Sequence, residues 1–183
     1  MDNLEQPVPS LPPPEVVTLS DGSHLLIRPI QPDDADDLQA TFQRLSTRSI
    51  YLRFMSFKNA LTDKEAEQLA RVDYRTRMAF VGICEEEEGP VVVGVARYAL
   101  LDPAQPDLAE SAVVVSDDYQ SRGIGKILLW RLVRYARLQG VRYLRGILLL
   151  ENQRMVDIIQ KAGMPYEKRF IDGSWTITID IGA

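Results

Sequence analysis

Apolar positions begin to recur in order only from Val16. Residues 16–19 and 25–30 are short apolar-rich runs flanking Asp21-Gly22, a dipeptide that favours the tight turn of a β-hairpin. Pro32-Asp33-Asp34 then opens a helix in which Leu38, Phe42 and Leu45 share a face. Its acidic start suits the positive end of the helix dipole. A second helical stretch includes residues 50–54, and a third follows Thr62-Asp63-Lys64-Glu65, whose spacing suits a capping box. The pattern then turns to strands. Residues 78–84 and 91–100 flank four consecutive glutamates and Gly89-Pro90, predicting a hairpin with a solvated acidic tip. A strand over 109–115 precedes a long helix to Gln139, whose apolar stripe is Ile124, Ile127, Leu128, Leu132 and Val133. Arg131, Arg134 and Arg137 fall on its other faces, as a solvated surface, and Gly140 closes it. Next come a strand over 143–150, a helix from about 154 to 161, and strands near 167–171 and 175–181 that meet at Asp172-Gly173. This order predicts an α/β (α+β) chain, a mixed sheet flanked by helices.

Composition adds bounds to that picture. At 183 residues the chain holds one domain with a sizeable core. Residues 1–14 are proline-rich and poor in core formers, so they read as a disordered tail ahead of a single domain over 15–183. A net charge of −5 argues against general nucleic-acid binding, which needs clustered Lys and Arg. One cysteine, Cys84, excludes an internal disulfide and fits a reducing compartment. Neither a basic-apolar leader nor an apolar stretch of membrane-spanning length is present, so the expected location is the cytoplasm. Cys84 in its apolar strand reads as a buried structural thiol, and with His24 the lone histidine no metal site is expected.

The candidate chemistry sits at Gln120-Ser121-Arg122-Gly123-Ile124-Gly125. Two glycines join a strand to a helix and let the backbone approach a ligand closely. The first helical turn offers amide hydrogens that lack partners within the helix, at its positive end. Arg122 and Lys126 add charge at the same place. The loop reads as a diphosphate cradle. Its Q-x-x-G-x-G spacing is neither the dinucleotide fingerprint nor the nucleoside triphosphate loop.

The run Glu110-Ser111-Ala112-Val113-Val114-Val115-Ser116-Asp117-Asp118-Tyr119, with this loop and its helix, resembles the acetyl-CoA motif of the GNAT superfamily of N-acetyltransferases. Glu151-Asn152 and the helix stop Ala162-Gly163-Met164 resemble the same superfamily. Asp21-Gly22-Ser23, Leu26-Ile27-Arg28-Pro29-Ile30 and Tyr51-Leu52-Arg53-Phe54 resemble the acetyltransferase domain of bacterial protein-lysine acetyltransferases. The resemblance covers about residues 16–181. It implies a GNAT-like acyl-CoA N-acyltransferase fold, with a mixed, mostly antiparallel central sheet, and acetyl-CoA as cosubstrate. Relatives often carry a fused nucleotide-sensing or synthetase-like domain, for which these residues leave no room.

By the same resemblance, Glu110 is the general base, among apolar neighbours whose partial burial would raise its pKa. A free lysine, with a pKa near ~10.4, needs such a base to become nucleophilic. The alternative is a strand-end carboxylate that faces solvent or pairs with an arginine. Val113, Val114 and Val115 match the segment whose backbone pairs with the pantetheine arm and polarises the thioester carbonyl. Gln120 to Lys126 would hold the diphosphate, and Asn152 the arm, though an asparagine there also serves as an N-cap. Many relatives carry a tyrosine acid where this chain has Ile159, so no general acid is assigned. Helices around residues 42–58, with Tyr51 and Phe54, and the hairpin near 171–175 would wall the acceptor site. The acceptor is expected to be a protein lysine, attacked directly in a ternary complex. A small-molecule amine, or a non-catalytic acyl-CoA-binding module that regulates a partner, is the alternative. Oligomeric state is open.

Overall fold

A computed structural model describes residues 10–182. Its eight strands are β1 (Glu15–Thr18), β2 (His24–Pro29), β3 (Arg77–Glu86), β4 (Gly89–Leu100), β5 (Leu108–Val115), β6 (Tyr143–Leu149), β7 (Tyr166–Ile171) and β8 (Ser174–Asp180). The helices are α1 (Ala35–Gln43), α2 (Thr47–Phe54), α3 (Asp63–Ala70), α4 (Ile124–Leu138) and α5 (Gln153–Ala162). The strands form one sheet in the order β1-β2-β3-β4-β5-β6-β8-β7. Every neighbouring pair is antiparallel except β5 and β6. The mixed, mostly antiparallel, helix-flanked sheet is therefore as expected.

The parallel pair is also the weakest join. β5 meets β6 at Leu108↔Tyr143, Ala109↔Leu144 and Glu110↔Arg145, and nowhere beyond. On its other edge β5 stays paired with β4 from Ala109 to Val115. The β6-facing edge of residues 111–115 therefore has no ladder partner. A bulge accompanies this parting. Gly82 opposes Gly94 while Ile83 opposes Val92, so Val93 is the extra residue. Its carbonyl accepts from the Ser116 amide at 2.8 Å, carrying the chain off the end of β5. Gly94 permits the crowding here. A Cβ on it would lie 3.0 Å from Leu128 Cδ1 and 3.1 Å from the Val114 carbonyl oxygen.

Each face of the sheet has its own core. On one, Leu128, Leu132, Val133 and Ala136 of α4, with Val156 and Ile159 of α5, pack on Phe80, Val93, Ala96, Leu144 and Ile177. On the other, Leu38, Phe42, Ile50, Ala66 and Ala70 from α1, α2 and α3 pack on Ile30, Val81, Ile83 and Val95. Each fully buried aliphatic side chain contributes on the order of 2 kcal/mol.

The polar residues depart from expectation in several places. Arg131 is not solvated: its side chain is 11% exposed, pairs with Glu15 at 2.6 Å and lies over the Phe80 ring. It also donates to the Pro13 carbonyl. Of the expected tail, residues 1–9 lie outside the described residues, while 10–14 have no regular secondary structure. Arg137 donates to the Ile181 carbonyl, tying α4 to the end of the chain. The acidic hairpin tip is solvated only in part. Glu86 pairs with Arg44 and accepts from the Tyr119 hydroxyl, each at 2.6 Å. Asp34, expected as a helix-dipole partner, is buried in a two-pronged pair with Arg28, both contacts 2.7 Å. This pair locks the start of α1 onto β2.

Candidate active site

The loop after β5 is shaped as the glycines require. Ser121 and Gly123 both have positive φ, 66° and 86°. Gly123 is the N-cap of α4 and supplies no side-chain cap. The first amides of that helix are thus left for an outside acceptor, in a concave turn of the kind that binds anions. Lys126 is exposed one turn in, while Ile124 is buried and anchors the helix start. Gly125 lies against Val113, Val115 and Ile158, where a Cβ would have ordinary contacts. This geometry fits a diphosphate.

Two of the expected phosphate ligands are already engaged. The Arg122 guanidinium pairs with Asp21 of the β1–β2 turn at 3.2 Å, donates to the Asp118 carbonyl and lies over the Tyr119 ring. Gln120 donates to Ser49 Oγ at 3.2 Å and to the Val115 carbonyl at 3.1 Å, and its oxygen accepts from Arg154. Gln120 is therefore a latch between the loop, α2 and α5. Asp117 works beside it, accepting from the Ser46 amide at 3.0 Å, the Ser46 hydroxyl at 2.8 Å and the Ser49 hydroxyl at 3.0 Å. Partial burial opposes ionisation of Asp117, but these hydrogen bonds prevail and hold its carboxyl below the usual range. Nothing in the local sequence pattern signals the contacts to α2, since their partners lie some seventy residues apart.

Glu110 stands at the last β5–β6 pair, where the strands part. It is exposed, so the expected partial burial is absent; its apolar neighbours lie along the strand rather than over the carboxylate. Strand alternation puts Glu110, Ala112 and Val114 on the face covered by α1, α2 and α3. Val113 and Val115 turn to the opposite face, against the α4 core. All three valines are half-buried, and their backbone lies on the edge left open toward β6.

Asn152 caps α5, its side chain accepting from the Met155 amide at 3.4 Å. Ile159 is buried in the α4 core, so an apolar side chain fills the position of the tyrosine acid. Cys84 is buried and burial pushes its thiol up, while His24 is exposed beside Thr18. Among the described residues, no His, Cys, Asp and Glu side chains gather in a group able to hold a metal ion. Nor is any helix there long and apolar enough to cross a membrane.

On the Glu110 face, a cavity of about 40 Å³ is lined by Leu38, Phe42, Phe54, Ala112 and Val114, among others, and by Arg53 and Arg97. Phe54 thus borders the cavity while packing on Phe42 at 5.7 Å. Tyr51 stacks instead on Phe57, centroids 5.0 Å apart. The β7–β8 hairpin lies at the far edge of the sheet, two strands from β5. The two arginines were not anticipated from sequence. Their signal was the alternation of β4, which puts Arg97 on the same inward face as Val95.

Comparison with known proteins adds four findings. The sequence profile of the acetyltransferase (GNAT) family matches residues 45–164. The chain is 32% identical to acetyltransferase PA5475 of Pseudomonas aeruginosa over 143 residues, which span 78% of this chain and 76% of that one. It is 31% identical to acetyltransferase Pat of Mycolicibacterium smegmatis over 82% of its own length but 44% of the relative's. Among solved structures, the GNAT domain of S. lividans PAT superposes with a TM-score of 0.82 at 28% identity, covering 91% of this chain and 96% of that domain.

Proposed function

The chain belongs to the acetyltransferase (GNAT) family of acetyl-CoA-dependent N-acetyltransferases, and on that premise we propose that it acetylates lysine side chains of proteins, with Glu110 as general base. The observation that carries this reading is the position of Glu110, exposed at the mouth of the β5–β6 parting with the diphosphate loop at the other end of the same strand. Glu110 and Val115 stand roughly 17 Å apart along an extended strand. That distance suits an extended pantetheine arm between loop and base.

When bound, acetyl-CoA supplies an activated acetyl thioester. The chain's own residues do the rest. The start of α4, the turn at Ser121 and Gly123, and Lys126 hold the diphosphate. The open backbone edge of Val113 to Val115 would orient the arm, and an amide there would polarise the thioester oxygen. Asn152 shapes the far wall by fixing the start of α5. Glu110 takes the proton from the incoming amine, directly or through one water. Arg53 and Arg97 on the same face add positive charge, which favours the neutral, nucleophilic form of a nearby amine. With Ile159 in place of a hydroxyl, α5 would supply no acid to a departing CoA thiolate. At a thiol pKa near ~8.5 it can be protonated by water.

A protein acceptor is supported by the exposure of the sheet beyond β5. All six residues of β7 are exposed, and Ile147 and Ile171 are exposed on strands beyond β5. The resemblance of the chain to Pat-type domains points the same way. The test is release of CoA thiol from acetyl-CoA by wild type and Glu110→Gln, against lysine peptides and a panel of small amines. Turnover on peptides should fall about 10²–10⁴-fold in the variant while acetyl-CoA binding is retained. Turnover confined to small amines would remove the protein-substrate reading. An unchanged rate in Glu110→Gln would remove the base.

A further inference from the structure

Three arginines surround Glu110 on its own face of the sheet, and among the described residues none of them pairs with a carboxylate. Arg97 on β4 is register partner to Ala112, two residues along β5 from Glu110. Arg145 on β6 is the register partner of Glu110 itself. Arg53, near the end of α2, shares the small cavity with Arg97. Their contacts leave most of each guanidinium unused. Arg97 donates once, to the Leu69 carbonyl at 2.8 Å; Arg53 lies over the Phe54 ring at 4.9 Å; Arg145 Nε is buried with no partner.

Three other half-buried arginines are matched. Arg28, Arg44 and Arg131 each hold an acidic side chain within 2.7 Å. Arg53 and Arg97 bear the cost of burial without that return. Burial pulls both below the usual guanidinium range, and repulsion from Arg53 and Arg77 lowers Arg97 further, to about 10. At about 10, Arg97 stays charged at neutral pH. Glu110 supplies the favourable charge felt by Arg53. A cavity of about 40 Å³ accommodates roughly three water-sized atoms, the size of a carboxylate. Apart from Thr41, whose hydroxyl is turned to the Asp37 and Val92 carbonyls, its other walls are apolar, which strengthens a charge-assisted hydrogen bond made inside it.

We propose that Arg53 and Arg97 form a subsite for a carboxylate carried by the acceptor close to its amine, with Arg145 extending the positive field on the other side of Glu110. This deepens the acetyltransferase reading and rests on it. In a protein, the carboxylate comes from an Asp or Glu beside the target lysine; in a free amino acid, it is the α-carboxylate. The carboxylate offsets the repulsion that the two arginines exert on an incoming ammonium, so an acidic neighbour lowers KM more than it raises kcat.

The test uses the full chain with acetyl-CoA and end-blocked lysine peptides flanked by Glu or by Gln, alongside free amino acids and their carboxamides. Wild type should prefer the Glu-flanked peptide by about tenfold or more in kcat/KM, mostly through KM. In Arg53→Gln and in Arg97→Gln that ratio should fall toward one. Because the ratio is taken within each variant, partial loss of folded enzyme cancels. Preference for the free amino acid over its carboxamide, with none among peptides, assigns the subsite to an α-carboxylate. Equal use of charged and uncharged acceptors by wild type, or a preference that survives in both variants, overturns the proposal. Calorimetric titration of the two peptides separates this outcome from failure of the lysine reading. Without turnover, tighter binding of the Glu-flanked peptide that is lost in both variants still supports the subsite, and equal binding rejects it.

Discussion

Glu65 shows how a single side chain can stabilise a local element in a pH-dependent way. At the start of α3 it accepts from the Lys58 ammonium and from the amide and hydroxyl of Thr62. The Lys58 contact first, then the two Thr62 bonds, lower its pKa from 4.5 to about 2. A carboxyl lowered on folding stabilises the native state above its unfolded pKa, and that contribution fades as the folded pKa is approached from above. The stability advantage of wild type over Glu65→Gln should be full at pH 6 and shrink steadily between pH 4.5 and 2. Urea midpoints across that range measure it; a difference independent of pH would mean the capping box does not depend on charge. The capping box was legible because Thr62 and Glu65 are three residues apart, so its geometry is local. The pairing of Arg28 with Asp34 was not, although six residues separate them. Which of several acidic residues turns inward depends on the packing of α1 against β2, and sequence spacing does not carry that.

At the scale of elements, the site hangs on how α4 begins. Gly123 sits at φ 86°, a conformation that disfavours any side chain with a Cβ, although open space surrounds it. Gly123→Ala should therefore cost on the order of 1 kcal/mol of stability and weaken acetyl-CoA binding, through backbone strain rather than steric clash. Gly125→Ala, with ordinary contacts for its Cβ and no positive φ, is the control for folded stability. Thermal unfolding with and without acetyl-CoA separates the two effects, and equal behaviour of the two variants would refute the strain argument. The element order, the hairpin turns, the glycine loop and Asn152 as an N-cap were all readable, because each is written in a few adjacent residues. The seam between β5 and β6 and the arginine cavity were not. They arise where elements distant in sequence are brought together, and an arginine inside a strand looks the same whether it meets water or a cavity wall.

For the whole molecule, the sheet is two slabs, β1 to β5 and β6-β8-β7, joined by three residue pairs. A ligand seated along the open edge of β5 supplies hydrogen-bonding partners that the missing ladder does not. Acetyl-CoA should accordingly slow amide hydrogen exchange most within residues 111–115 and 120–126, beyond the uniform gain that mass action gives a bound protein. A change spread evenly over the sheet would place the ligand elsewhere. The Asp21–Arg122 pair has a different kind of consequence. Its partners are 101 residues apart, one in the β1–β2 turn and the other in the loop. Contacts of such long range close only after the chain between them has condensed. The glycine loop should therefore take its final shape late in folding, when the β1–β2 turn docks onto it.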